Sequence, residues 1–171
     1  MNEVGSSIEH RLRHAELRAL LAYWRRAGQG AIPSRSDIEP TEIPELLSHL
    51  MLVDVERAPI RFRARLCGTA IDRTFGRSFT GRYLDDINAG YFDRDALQDY
   101  AAVVFCKQPR FASRNVVGGD GHWLQYQRLL LPLSSDGWQI NMLLGGVCAM
   151  QLRRADHADA DPAFRDSTPM R

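Results

Sequence analysis

This chain has almost no lysine: Lys107 is the only one in 171 residues, so arginine carries nearly all of its positive charge. Arginine's planar fork suits bidentate recognition of anions, although a codon bias toward GC-rich DNA is the plainer explanation. Net charge is also nearly absent. A formal balance of +1 gives no long-range attraction to phosphate or to an anionic membrane, leaving only the option of a local patch. Cysteine is scarce and unpaired in pattern: Cys67, Cys106 and Cys148 are odd in number, far apart and free of any C-x-x-C spacing, which excludes a disulfide framework. Each lies in an apolar run, so buried reduced thiols are expected. No apolar stretch approaches the roughly 18 residues of a membrane span. The opening MNEVGSSIEHRLRH is too polar for a signal peptide. A cytoplasmic location without membrane contact is the expectation.

What is present is enough for a core. Apolar residues make up 44% of the chain and aromatics 9%, which suits one domain with extensions. Ser6 to Ala27 reads as an amphipathic helix. Ser6 and Glu9 have capping-box spacing, while Ile8, Leu12, Ala15 and Ala19, with Leu17, Leu20, Leu21 and Trp24, recur at three- and four-residue steps. Gly28 is a plausible stop. So broad an apolar face must pack on its own sheet or on another chain. Gly28 to Pro40 is a connector rich in turn formers, and a short helix follows with Ile43, Leu46, Leu47 and Leu50 on one side and Pro44 in its first turn.

Two strands come next, Leu50 to Glu56 and Arg61 to Cys67, joined near Ala58-Pro59. In the second, Phe62, Ala64 and Leu66 alternate with Arg61, Arg63 and Arg65, a period of two. The three arginines then share a face and must reach water or carboxylates. Ala70 to Phe75 is a short helix ending near Gly76. A longer one is capped by Asp93 and reaches Cys106, with Ala96, Leu97, Tyr100, Ala101, Val104 and Phe105 inward. The last third is β: Arg110 to Val117, His122 to Leu133 and Trp138 to Leu152, separated by turns at 118–121 and 134–137. Residues 153–171 lose apolar periodicity and read as a mobile tail. The expected division is 1–30 for the first helix, 31–152 for the main domain and 153–171 for the tail.

Two strands, short helices, a longer helix and three strands is the order of a PAS domain. The motifs that carry the resemblance are Tyr23-Trp24, Pro33-Ser34-Arg35 with Asp37-Ile38-Glu39-Pro40, Arg65-Leu66-Cys67-Gly68-Thr69, Phe75-Gly76-Arg77, Thr80-Gly81 and Leu131-Pro132-Leu133. In joint order and spacing, over roughly residues 18 to 150, they resemble the bacterial single-domain PAS family called PAS_5, common in alphaproteobacteria. The resemblance implies an α+β fold, with a five-stranded antiparallel sheet and helices enclosing a small cavity over one face. It also implies a sensory or regulatory role. It supplies no common cofactor, so the cofactor stays unknown. Flavin photosensors of this class carry a reactive cysteine in an N-C-R-F-type helix, and no such motif occurs here. Haem-binding relatives use a histidine on the long helix, and none lies between Asp93 and Lys107.

Several groups could carry chemistry. His10 and His14, four apart, would share a helix face as metal pairs do, but no matching cluster accompanies them and a solvated face is the simpler reading. His122 beside Asp120 could act as a base or pH switch, yet no nucleophile joins them. Gly28-Gln29-Gly30 and Gly118-Gly119-Asp120-Gly121 are turns, neither Walker loops nor dinucleotide fingerprints. Asp85-Asp86 best serves as a helix cap or an ion-pair partner for Arg77 or Arg82. Arg65, Tyr126 and Arg128 lie on strands; pointing inward, they would anchor a carboxylate or phosphate ligand. Trp123 and Trp138 flank the last hairpin and could serve an interface or pack at an edge.

Three functions are therefore weighed. The first is a sensor that binds a small molecule or signalling protein and acts through protein contacts, without catalysis. With no kinase, cyclase or helix-turn-helix segment in view, its output is another protein, and its assembly is a homodimer through the first helix. The second is a small isomerase- or hydratase-like enzyme using a cavity Asp or His as base. The third, nucleic-acid binding through the arginine face, is disfavoured by the near-zero net charge.

Overall fold

A computed structural model describes residues 8–87, 94–117 and 123–151. Its centre is a five-stranded antiparallel sheet of order β2-β1-β5-β4-β3, where β1 is Leu50–Arg57, β2 Ile60–Cys67, β3 Arg110–Val117, β4 Trp123–Leu133 and β5 Met142–Gln151. Three helices accompany it: α1 (Ala15–Gly28), α2 (Thr69–Phe75) and α3 (Arg94–Cys106). Strand alternation sends two sets of side chains to opposite faces, and each face has its own core.

On the inner face Met51, Val53, Phe62, Ala64, Tyr126, Leu130, Leu143 and Val147 meet α2, α3 and the segment around Leu84. On the outer face Leu129, Leu131, Leu133, Met142, Leu144 and Cys148 meet α1 through Leu17, Leu20, Leu21 and Trp24. The two cores touch back to back at Gly145-Gly146 in the central strand. A Cβ on Gly145 would come within 2.5 Å of Met51 Cγ, and one on Gly146 within 2.6 Å of Leu20 Cδ2. Glycine there lets a side chain from each layer approach the sheet backbone. The Trp24 indole N–H donates to the Pro132 carbonyl at 2.9 Å, fixing α1 against β4.

The first helix differs from its expected length. The backbone leaves helical geometry before His14, which caps α1 in an extended conformation (φ −84°, ψ 132°). The cause is tertiary: the Gln127 side chain, buried on the outer face, accepts from the Arg13 N–H and donates to the Arg11 carbonyl. Backbone groups that a helix would use internally are bonded to the sheet instead. His10 and His14 therefore do not share a continuous helix face, and Ser6 lies outside the described residues. The helix ends on Gln29 in the left-handed region (φ 47°) rather than on Gly28. Its apolar face is filled by the chain's own sheet, with Leu17 and Leu21 each 1% exposed. That removes the uncovered surface on which the dimer expectation rested.

Other departures have similar causes. Residues Pro44–His49 form a 3-10 helix, which leaves Leu47 exposed. Phe105 is 71% exposed instead of inward, because it sits in the last turn of α3, past the cover it provides. Residues 134–141 form a loop before β5 begins at Met142. There the Asp136 carboxylate accepts the N–H groups of Trp138 and Gln139 and satisfies donors that a strand would have paired. A bulge in β2 pairs Leu52 with Leu66 and Val53 with Ala64, skipping Arg65, so Leu66 joins the arginines outside. Cys106 is exposed, contrary to expectation, while Cys148 is buried. Asp93, the turn at 118–121, His122 and the tail 153–171 lie outside the described residues.

Candidate functional site

The sheet edge carries the Thr80-Gly81 turn. Gly81, with φ +83°, donates its N–H to the Ala64 carbonyl at 2.6 Å, and the Ala64 N–H donates to Arg82 O at 2.8 Å. The Thr80 hydroxyl accepts from the Cys67 N–H. The turn thus caps the free edge of β2 and steers the chain over the inner face. Asp85 and Asp86 do pair with arginine, but with Arg61 rather than Arg77 or Arg82. The Arg61 guanidinium holds Asp85 through two hydrogen bonds at 2.8 and 3.1 Å and Asp86 at 2.9 Å. It lies 3.8 Å over the Tyr83 ring. The hydrogen bond from Arg61 sets Asp85 below the usual carboxylate range. Arg63 donates to the Gly81 carbonyl and Arg65 to Asp54 at 3.3 Å. All three arginines of β2 are thereby engaged.

Of the predicted ligand residues, Arg65 stands apart on the outer face of β2. Tyr126 and Arg128 share the inner face of β4 and line one cavity with Met51, Ile71, Phe75, Phe79, Tyr100 and Val147. The cavity measures about 10 Å³, roughly the smallest void that holds one water molecule. Aromatic rings fill the rest: Phe75 meets Phe79 and Tyr126 edge-on at 5.6 and 5.5 Å. This cavity, as packed, is far smaller than the pockets of ring-sized cofactors, which run to some 300 Å³ or more.

Arg128 is the unusual member. It is 2% exposed in a file of apolar neighbours, with its Cζ 4.7 Å from the Tyr100 ring centroid. One nitrogen, Nη2, donates to Asp99 Oδ2 at 2.7 Å and lies 3.4 Å from the Ala96 carbonyl. Its Nε and Nη1 are buried with no hydrogen-bond partner among the described residues, a costly condition for a charged group. Asp99, on α3, also accepts from Arg110 Nε at 2.6 Å and Arg114 Nη2 at 3.0 Å. Burial alone would raise its pKa; hydrogen bonds from Arg110 and Arg114 and the charge of Arg128 outweigh this and hold it below the usual range. Among the described residues, three guanidinium groups gather around the one Asp99 carboxylate. The Tyr100 phenol is pushed up to about 12 by burial, against the opposing pull of Arg128.

Asp99, Tyr100, Arg110 and Arg114 were not singled out from sequence, although the signals existed. Leu124, Tyr126, Arg128 and Leu130 form one alternating file, so an arginine facing a core needs a carboxylate. Asp99 lies between Ala96 and Val103 on the apolar stripe of α3.

A five-stranded antiparallel sheet of this order, covered on one face by helices over a small interior cavity, defines a PAS-type domain, the fold of many sensory signalling modules. The profile of the PAS domain family PAS_5 matches residues 12–148, and the chain belongs to that family. Among solved structures it is similar to a light-oxygen-voltage domain studied with a flavin analogue. The TM-score is 0.50 at 12% identity, over 68% of this chain and 85% of that one, and the likeness shows the fold alone. Similar too are the PAS domain of a protein from Colwellia psychrerythraea (TM-score 0.48, 12% identity, 66% and 98% coverage) and the LOV domain of an Erythrobacter litoralis blue-light activated histidine kinase (0.47, 16%, 60% and 95%). No curated protein matches the chain. No described helix is long and apolar enough to cross a membrane.

Proposed function

We propose that this domain is a cytoplasmic sensory or regulatory module that takes a small anionic ligand at Arg128 and passes its state on through protein contacts. The observation that carries this reading is the pair of unpartnered, buried donors Nε and Nη1 on Arg128 at the cavity wall. A carboxylate or phosphate oxygen is the group such donors suit, with Tyr126 and Tyr100 as neighbours. Entry requires Met51, Phe75 or Phe79 to swing aside, and that same movement shifts the α2 and α3 cover, which is how binding would bias one conformation. Arg65, ion-paired on the other face, has no part in it. The isomerase- or hydratase-like alternative needs a cavity base. The residues that line the cavity include no Asp, Glu or His, and Asp99 behind Arg128 is held as a weak base by its three arginines.

The test is native mass spectrometry of gently purified protein beside its denatured mass, with a thermal-shift panel of small carboxylates and phosphates. Retained mass or anion-dependent stabilisation in the wild type, lost in Arg128→Met, is the expected result. No retained mass and no shift with any anion, or equal behaviour of both proteins, overturns the ligand reading.

A further inference from the structure

The outer face holds a second constellation, away from the cavity. His14, Glu16 and Cys148 each present a ligand atom, and these atoms all lie within 4.8 Å of one another. Three features bring them together. Gln127 anchors the segment before α1 to the sheet and so sets His14 and Glu16 over β5. Cys148 is the cross-strand neighbour of Gln127 on that same outer face. His49, at the entry to β1, borders the cluster: its Nδ1 is hydrogen-bonded to the Val147 carbonyl at 3.2 Å and lies 3.7 Å from Cys148 Sγ. The His14 side chain makes no capping bond, and neither its ring nor the Glu16 carboxylate is hydrogen-bonded or ion-paired to another described residue.

We infer that His14, Glu16 and Cys148 form a three-residue site for a divalent transition metal of the zinc type, with the fourth position open to water. One sulfur, one imidazole nitrogen and one carboxylate oxygen are a donor set for Zn²⁺ rather than for Ca²⁺ or Mg²⁺, which take oxygen alone. Zinc–ligand bonds of about 2.0–2.3 Å place tetrahedral ligands closer than 4.8 Å to one another, so the three groups contract slightly around the ion. His14 and Glu16, half-buried at the start of a helix, have the freedom to do so. Binding forms the thiolate–metal bond as the thiol proton leaves to water. A bound ion would bridge the start of α1 and β5, pinning the helix to the sheet.

The experiment is titration of the full chain with Co²⁺ under reducing conditions, read by absorbance. One equivalent should produce a thiolate-to-cobalt charge-transfer band with strong visible bands of a tetrahedral site, displaced by Zn²⁺. Cys148→Ser should abolish the charge-transfer band. Because that residue is buried, His14→Ala and Glu16→Gln serve as independent variants, each expected to weaken binding about tenfold or more. Absence of the bands, their persistence in Cys148→Ser, or unchanged affinity in both half-buried variants overturns the assignment.

Discussion

The two faces of the sheet are packed with different chemistry. The outer face is closed by Leu17, Leu20, Leu21 and Trp24 of α1, and its buried Gln127 bonds the chain that precedes the helix through both its oxygen and its nitrogen. The inner face is aromatic, holds a small void and contains a buried arginine with unused donors. Where the outer face meets Leu17, Leu20 and Leu21 it is packed closely. On the inner face, buried donors left without a partner cost stability, and the proposed ligand role would account for that cost.

The largest effect should come from a charge in the closed face. Leu17→Asp places an unpaired carboxylate against Leu144 and its neighbours, with an expected loss of about 4 kcal/mol or more. Circular dichroism and urea titration should find the cooperative transition gone or nearly so; a well-folded variant would mean that α1 is a detachable arm. Next comes Asp99→Ala on the inner face, which strands Arg128 inside the core at a cost of about 3–5 kcal/mol. The pH dependence follows the same group. Its folded pKa is depressed, so the stabilisation is present above the unfolded value and is lost as pH falls through the depressed one. Asp99→Ala should therefore flatten the acid limb of a stability–pH curve, and an unchanged limb would rule Asp99 out as its source.

A paired substitution sharpens the contrast. Gly146→Ala drives a methyl into Leu17 and Leu20, whereas Gly145→Ala meets mainly Met51. Overpacking costs about 1–3 kcal/mol, and a flexible methionine yields more easily than two leucines held under a helix. Urea midpoints should place Gly146→Ala below Gly145→Ala, with only the former altering Trp24 fluorescence; the reverse order would mean that the inner face is the tighter one. The smallest effect belongs to Arg61→Ala at the exposed edge, where solvent screens the pairing with Asp85 and Asp86. Its melting temperature should fall within experimental scatter of the wild type, and a clear drop would make that edge part of the core.

Period-two and period-three-to-four patterning made the strands, the helices and their order legible, because those patterns record which side chains face a core. It could not show the break before Ala15, which depends on Gln127, far away in sequence. Nor could it show the skipped register at Arg65, since a bulge leaves composition unchanged. Arg65 was grouped with Tyr126 and Arg128 on residue type, although the alternation of β2 already placed it with Arg61 and Arg63 on the other face. The last strand was expected from Trp138, but Trp138 is 77% exposed in a loop organised by Asp136. Tyr126 and Arg128 were found because an alternating file assigns them one face. Asp99 was legible as a carboxylate on the apolar stripe of α3, but its pairing with Arg110, Arg114 and Arg128 needed the β3–β4 register and the placement of α3.

If Arg128 is held for anion binding at a cost to stability, as proposed, the melting temperature of ligand-stripped Arg128→Met beside ligand-stripped wild type reads that cost. Methionine approximates the arginine stem, and Asp99 keeps Arg110 and Arg114, so no carboxylate is left unpaired. The account predicts an equal or higher melting temperature, in line with the gain of about 1–4 kcal/mol seen when buried ionic groups give way to well-packed apolar ones. A fall of several degrees would make Arg128 a structural ion-pair partner and contradict the account.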